Sequence, residues 1–288
     1  MTRIAVTGGS GKLGGAVVAD LVEHGYEVVN LDRAAAQRPG TTSVRVDLTD
    51  YGQTVEALSR VDDRYDAVEG VLHLAAIPAP GLTTNAATFA NNITSTYNVF
   101  AAARAAGIRN VVWASSETVI GIPFHTPPPY LPVDENYPVR PESTYSMVKG
   151  LEEAMATQFC RWDPQLKMIG LRFSNVMEPA DYAAFPSFDA DPSTRAWNLW
   201  ASIDARDGAQ AARLALEHQA PGFDVFVIAN ADTVMSTPSA DLAAGRFPDV
   251  EIRGDLSGTQ TLLSIDKARR VLGYSPQHPW RDHAGPAV

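Results

Sequence analysis

The chain has 288 residues, 45 % of them apolar and 19 % charged, and 33 acidic against 23 basic side chains give it a net charge of −10. This balance belongs to a globular fold with a sizeable core and excludes intrinsic disorder, while the acidic field argues against nucleic acid as a partner. Cys160 is the only cysteine, the six histidines lack zinc-site spacing, and no apolar run reaches the roughly 18 residues of a membrane span; disulfides, a bound metal and a membrane are therefore not expected, and a reducing cytoplasm is the expected setting. In chain order, apolar runs at Ile4 to Thr7, Glu27 to Leu31, Val44 to Asp47, Ala67 to Leu74, Asn110 to Ala114, Lys167 to Arg172 and Asp224 to Ala229 predict strands, with helical patterns between them. Such alternation predicts right-handed βαβ units and a doubly wound α/β fold, a parallel sheet of about seven strands covered on both faces. From Phe173 onward, Pro179, Pro186, Pro192, Pro221, Pro238 and Pro248 break the chain into short pieces, which predicts a small C-terminal lobe.

Five glycines crowd the first turn, where Gly8-x-x-Gly11-x-x-Gly14 overlaps Gly9-x-Gly11-x-x-Gly14 between the first strand and a helix from about Lys12. Glycine there permits the tight turn, lets a pyrophosphate approach the backbone, and lets the helix pack close on the sheet. Lys12 and Leu13 open that helix, whose N-terminus faces the phosphates. The motif alone also fits a plain tight turn; Asp32, eighteen residues past Gly14 at the end of the second strand, turns it into a Rossmann dinucleotide site. Asp32 is placed to accept from the adenosine ribose hydroxyls and to repel a 2′-phosphate, which favours NAD, whereas Lys12 and Arg33 offset that repulsion and leave NADP open. Asp47 and Leu48, after the third strand, are placed to meet the adenine. Residues 1–172 then make the dinucleotide-binding domain, and residues 173–288 mainly a substrate lobe, with about 204–230 returning to the core.

Tyr145 and Lys149 lie four apart in a helical pattern, so their side chains project from one face. A phenol with a pKa near 10 is a poor base, and a fixed cation nearby lowers that value. In isolation the pair also fits a surface aromatic beside a snorkelling lysine. Ser115 and Ser116 decide between them, because they end a strand of the same sheet, on the edge where open α/β sheets place ligands.

In order along the chain, Thr7-Gly8-x-x-Gly11-x-x-Gly14, Asp32, Asp47-Leu48, His73-Leu74-Ala75-Ala76, Asn91-Asn92, Ser115-Ser116, Tyr145-x-x-x-Lys149 and Arg172-Phe173-Ser174-Asn175 resemble the extended short-chain dehydrogenases/reductases, and within them the NAD-dependent epimerase/dehydratase group. The resemblance implies that tyrosinate at Tyr145 removes or returns a substrate hydroxyl proton while hydride moves to or from the nicotinamide. It implies that Ser116 holds the substrate oxygen, that Lys149 also binds the nicotinamide ribose, and that Leu74, Ala75, Ala76, Asn91 or Asn92, and Ser115 line the cofactor groove. A homodimer through the helices at Thr88 to Ala106 and Ser143 to Phe159 follows by the same resemblance. The sequence departs from the group in having Ile120 where tyrosine is usual, and Glu117 stands after the serine without the Asp-Glu pair of dehydratases.

The substrate side is read from Ser174, Asn175 and Arg195, the last beside Trp197 and Trp200, since arginine among aromatics suits a carboxylate or phosphate. This run resembles that of uronate dehydrogenases, whose arginine binds the sugar carboxylate. A small polyhydroxylated acid is one candidate substrate; a nucleotide sugar is another, with Arg195, Arg246 or Arg253 offered to its diphosphate. Two functions follow: an NAD-dependent sugar oxidoreductase or epimerase, or a cofactor-binding regulator without turnover. The intact Ser116, Tyr145 and Lys149 set favours the enzyme.

Overall fold

The computed structural model describes residues 2–34, 39–59 and 64–283. Its elements run β1 Arg3–Thr7, α1 Lys12–Glu23, β2 Glu27–Asp32, β3 Thr41–Arg45, α2 Tyr51–Leu58, β4 Gly70–His73, α3 Asn85–Ala105, β5 Asn110–Ser116, β6 Tyr130–Leu131, α4 Thr144–Trp162, β7 Lys167–Phe173, β8 Val176–Met177, α5 Phe185–Phe188, β9 Ile203–Asp204, α6 Ala205–Glu217, β10 Gly222–Ile228, α7 Ser239–Arg246, β11 Glu251–Ile252 and α8 Asp266–Leu272. Seven strands form one parallel sheet in the order β10-β7-β5-β4-β1-β2-β3. Counted along the chain, this is the doubly wound order extended by a seventh strand. The expected starts of two strands shift by three residues, the other limits by two or fewer. β3 begins at Thr41 because its pairing with β2 runs from Val28 with Thr41 to Asp32 with Arg45, and an edge strand needs no apolar run to hold that register. β4 is only Gly70–His73, since Leu74 already turns off the sheet into the loop above it.

Alternation along the central strands builds two cores. Ile4, Val6 and Leu72 point to the side of α1 and α6, while Ala5, Val71, Val111 and Trp113 point to the side of α2, α3 and α4. Each fully buried aliphatic side chain there contributes roughly 1.5–3 kcal/mol. Alanines and glycines set the spacing on the first side: Ala209, Ala212 and Ala215 of α6 are buried, and a Cβ at Gly208 would lie 2.8 Å from Leu13 Cδ1. The close α1–α6 contact depends on these small residues. Past β7 the chain leaves the sheet for short 3₁₀ turns, then comes back through α6 and β10. Asp204 starts α6 by capping Arg206 N–H and also pairs with the Arg206 guanidinium, and the buried Asp207 accepts from the N–H groups of Gln277 and His278, tying the closing segment to the core. No helix among the described residues is long and apolar enough to cross a membrane.

Candidate active site

A cleft of about 1050 Å³ opens over the C-terminal ends of the strands. It spans the β1/β4 boundary, where successive crossovers pass to opposite sides of the sheet, which is where such sheets take ligands. Gly8, Gly11, Lys12, Leu13, Gly14, Asp32, Arg33, Leu48, Leu74, Ala75, Ala76, Asn91, Ser115, Ser116, Tyr145, Lys149, Ser174 and Asn175 all line it. Asp47, Asn92 and Arg195 do not.

The glycine turn is held by sterics. Gly8 has φ +73°, and a Cβ on it would sit 2.7 Å from the backbone nitrogen of Ala75. A Cβ on Gly14 would run into the Gly8 carbonyl, whereas one on Gly11 would meet only that same oxygen, at 3.4 Å. The Gly11 surface is therefore open toward the cleft. No side chain caps α1, so its first N–H groups have no side-chain acceptor and face the space a pyrophosphate fills. Asp32 accepts from Ser10 N–H at 3.1 Å and Ala34 N–H at 3.0 Å, one bond on each carboxylate oxygen, leaving lone pairs for two ribose hydroxyls. The cations expected to attract a 2′-phosphate are already engaged: Arg33 with Asp47 at 2.8 Å, and Lys12 with Asp181 at 2.6 Å. Arg33 and Thr49 hold the Asp47 carboxyl down at about 2, so it serves this pair rather than the adenine. These residues fit NAD.

Ser116 Oγ accepts from Thr118 N–H at 3.2 Å and Thr118 Oγ1 at 3.0 Å. With its lone pairs so occupied, its own proton is left to donate, and it faces the Tyr145 phenol. Lys149 Nζ donates to the Ala114 carbonyl at 2.7 Å and to Glu152 Oε2 at 3.0 Å. The expected lowering of the Tyr145 pKa is corrected here. Lys149 and Ser116 do pull it down, but burial outweighs them, with Glu152 and Glu117 adding to the rise, so the phenol sits above its ordinary value.

Behind Lys149 runs a buried chain of hydrogen bonds that the sequence reading missed. Thr7 Oγ1 accepts from the N–H groups of Leu74 and Ala75 and bonds His73 Nδ1 at 2.8 Å; His73 Nε2 bonds Thr96 Oγ1 at 3.0 Å; Thr96 donates to Glu152 Oε1 at 2.9 Å. Because Thr96 spends its proton on Glu152, His73 must donate from Nε2 and accept at Nδ1, the neutral tautomer. Burial first, then the Lys149 charge, presses its pKa down to about 3. Next to this chain, Glu153 accepts from Ser115 Oγ at 2.7 Å and takes a two-point contact from Arg172 at 2.9 and 2.8 Å. The Ser115 hydroxyl is thus bound to α4. The available signal was helical spacing, since Glu152 and Glu153 follow Lys149 by three and four residues.

Three other expectations are revised. Asn92 turns away from the cleft and clamps Ile77 through its N–H at 2.8 Å and its carbonyl at 3.0 Å, fixing the loop after β4 because a carboxamide matches both backbone groups. Arg195 is buried behind the wall: it donates to the Ala201 carbonyl at 2.8 Å and its guanidinium lies over the rings of Phe188 at 5.5 Å and Trp197 at 5.3 Å. Trp197 lines the cleft, Trp200 is core, and Arg246 and Arg253 lie off the cleft, Arg253 with Glu251 at 2.8 Å. The group that does face the cleft is Glu117, buried and pushed up to about 7 by that burial. Among the described residues there is no cluster of His, Cys, Asp and Glu fit to hold a metal.

Residues 4–192 match the NAD dependent epimerase/dehydratase family. The chain belongs to that family. UDP-glucose 4-epimerase of Yersinia pestis is 30 % identical over 182 residues, 60 % of this chain and 52 % of that protein. The chain spans about half the length of the curated relatives it matches. A solved UDP-galactose 4-epimerase shares 26 % identity at a TM-score of 0.70, covering 98 % of this chain and 96 % of that one. A mutated uronate dehydrogenase has the same fold, with a TM-score of 0.68 at 22 % identity over 98 % of this chain and 84 % of that one. The family segment holds the glycine turn, Asp32, Ser116, Tyr145 and Lys149, and it ends just before Arg195.

Proposed function

We propose that this member of the NAD dependent epimerase/dehydratase family is an NAD-dependent sugar oxidoreductase or epimerase, moving a hydride between the nicotinamide and a carbinol carbon of a sugar, sugar acid or nucleotide sugar. The observation that carries this reading is the convergence of Ser116, Tyr145 and Lys149 on the cleft that also holds the glycine turn and Asp32. NAD, when bound, accepts or returns the hydride. Tyr145 takes the proton of the substrate hydroxyl as the carbinol C–H electron pair leaves, and gives it back in the reverse direction. Ser116 turns its proton from the phenol to the same substrate oxygen and fixes its position. Lys149, anchored by Ala114 and Glu152, supplies the positive charge that favours the tyrosinate. Net dehydrogenation and epimerisation use these same groups and differ in whether the reduced cofactor leaves.

The test is absorbance of NADH when protein and excess NAD⁺ meet free hexoses, free hexuronates and UDP-sugars. Accumulation with a free sugar marks a dehydrogenase. Epimers appearing from a UDP-sugar without accumulation mark an epimerase, and neither result, with no sugar bound, removes the reading. In this reading residues 1–172 hold cofactor and catalytic groups, while 173–288 chiefly shape the substrate end. A homodimer is part of the proposal, supported by exposed Phe89 and Tyr97 on α3 and exposed Met147, Leu151 and Trp162 on α4. A cytoplasmic setting is supported by the lone thiol, Cys160.

A further inference from the structure

At the substrate end of the cleft Glu117 Oε2, Ser174 Oγ, Arg195 Nε and Asn198 Oδ1 are buried and make no hydrogen bond of full geometry, while the Ser174 hydroxyl and the Asn175 N–H face the Glu117 carboxylate and act against the effect of its burial. Buried polar atoms are costly when incompletely paired, so the two of these residues that line the cleft, Glu117 and Ser174, offer hydrogen-bonding capacity that a ligand can complete. The four residues form one unit. Asn198 donates to Glu117 Oε1 at 3.1 Å and to the Ala201 carbonyl at 2.9 Å, and Ala201 also takes the Arg195 proton at 2.8 Å. Glu117 and Ser174 lie on the cleft wall, and Arg195 and Asn198 stand behind them. The charged and titratable groups facing Glu117 are Arg195, from the 3₁₀ turn Pro192–Asn198, and Tyr145 from α4.

We propose that Glu117, backed by Arg195 and Asn198, is the specificity-determining residue of this site, accepting a hydroxyl proton of a neutral sugar ring and excluding substrates that carry a carboxylate there. The inference rests on the sugar reading above and narrows it. An arginine on the wall would attract a sugar acid, but this guanidinium is held on a carbonyl and between two aromatic rings, with the Glu117 carboxyl opposite it. A substrate carboxylate would meet Glu117 before Arg195. An ionised Glu117 Oε2 has only acceptor sites, and Ser174 Oγ beside it both donates and accepts, so together they complement a ring hydroxyl. Arg195 is a positioning residue that balances the Glu117 charge.

The experiment compares kcat/KM at pH 8.5, where Glu117 is ionised, for matched neutral and acidic probes: glucose with glucuronate, galactose with galacturonate, and UDP-glucose with UDP-glucuronate. The neutral member is expected to be preferred by about tenfold or more in every pair that turns over, and Glu117→Gln is expected to narrow that ratio by about tenfold, the scale of one like-charge contact removed. If Arg195 left unbalanced prevents Glu117→Gln from folding, the double variant with Arg195→Gln carries the same expectation, and the wild-type ratio stands as a test by itself. An acid preferred by the wild type, or a ratio that neither variant moves, overturns the assignment of Glu117 while leaving the sugar reading in place. No probe turned over or bound by the wild type removes the sugar reading, and this inference with it.

Discussion

Tyr145 shows how a single site is tuned by what surrounds it. Its phenol is buried, so the neutral form is favoured until the Lys149 charge and a hydroxyl from Ser116 act against that, and two carboxylates, Glu152 and Glu117, reinforce the burial. In the proposed reaction, replacing Tyr145 with Phe removes the proton acceptor and little else. Turnover is expected to fall by 10²–10⁴-fold, on the order of one general-base contribution, with NAD affinity in a fluorescence titration nearly unchanged. Activity like that of the wild type would rule out Tyr145 as the base. Asp32 is the matching residue on the cofactor side. With Lys12 and Arg33 both paired, the proposed site leaves the Asp32 carboxylate as its discriminator against a 2′-phosphate, and Asp32→Ala is expected to narrow the NAD over NADP preference measured by titration of both. An unchanged preference would place the ribose contact elsewhere.

At the scale of elements, the hydrogen bonds from Thr7 through His73, Thr96 and Glu152 to Lys149 join β1, β4, α3 and α4 beneath the cleft. They fix Lys149 relative to the glycine turn. Removing the Glu152 charge relieves both Tyr145 and Lys149 of a neighbour that raises their pKa values. In Glu152→Gln the acid limb of the kcat/KM profile is therefore expected to move to lower pH, and stability to fall by about 3–5 kcal/mol because a buried ion pair has lost one partner. A limb that stays in place would show that Glu152 acts by packing alone. His73 adds a pH dependence to folding. Its folded value lies near 3, below the 6.5 of the unfolded chain, so the native state binds fewer protons. Its stabilisation is complete above pH 6.5 and is lost as pH falls toward 3, amounting to about 2 kcal/mol by pH 5. Denaturant unfolding at pH 8 and pH 5 measures this, and His73→Gln is expected to flatten the slope; equal slopes would assign the acid loss to other groups.

For the whole molecule, the exposed apolar residues of α3 and α4 make one continuous argument for self-association, since Met147 and Leu151 are one turn apart on the same helix. Sedimentation of the wild type is expected at twice the chain mass, and of the Met147→Glu, Leu151→Glu double variant at the chain mass. A monomeric wild type at micromolar concentration would leave those residues to another role. The exposed pair Lys12 and Asp181 joins the helix after the glycine turn to the segment after β8 across 169 positions of sequence.

The sequence by itself determined the fold class, the seven strands and the glycine turn, and it singled out Asp32, Ser116, Tyr145 and Lys149 as the residues that line one cleft, because each is written in local periodicity or in short fixed spacing, where a strand, a turn and a helix face are decided by neighbours along the chain. It placed β3 three residues late because the register of a polar edge strand is set by its partner rather than by its own apolar pattern. Only the tertiary structure decided which side chains had partners. Asn92 was a groove residue by resemblance and became a backbone clamp, since Ile77, fifteen residues earlier, packs against it. Arg195 was a carboxylate or phosphate ligand by its aromatic neighbours, yet it is buried on the Ala201 carbonyl, with the Glu117 carboxylate, 78 residues earlier, sharing its site. Charge and hydrogen-bond capacity belong to pairs of groups, and those pairs are formed by packing across elements far apart in the chain.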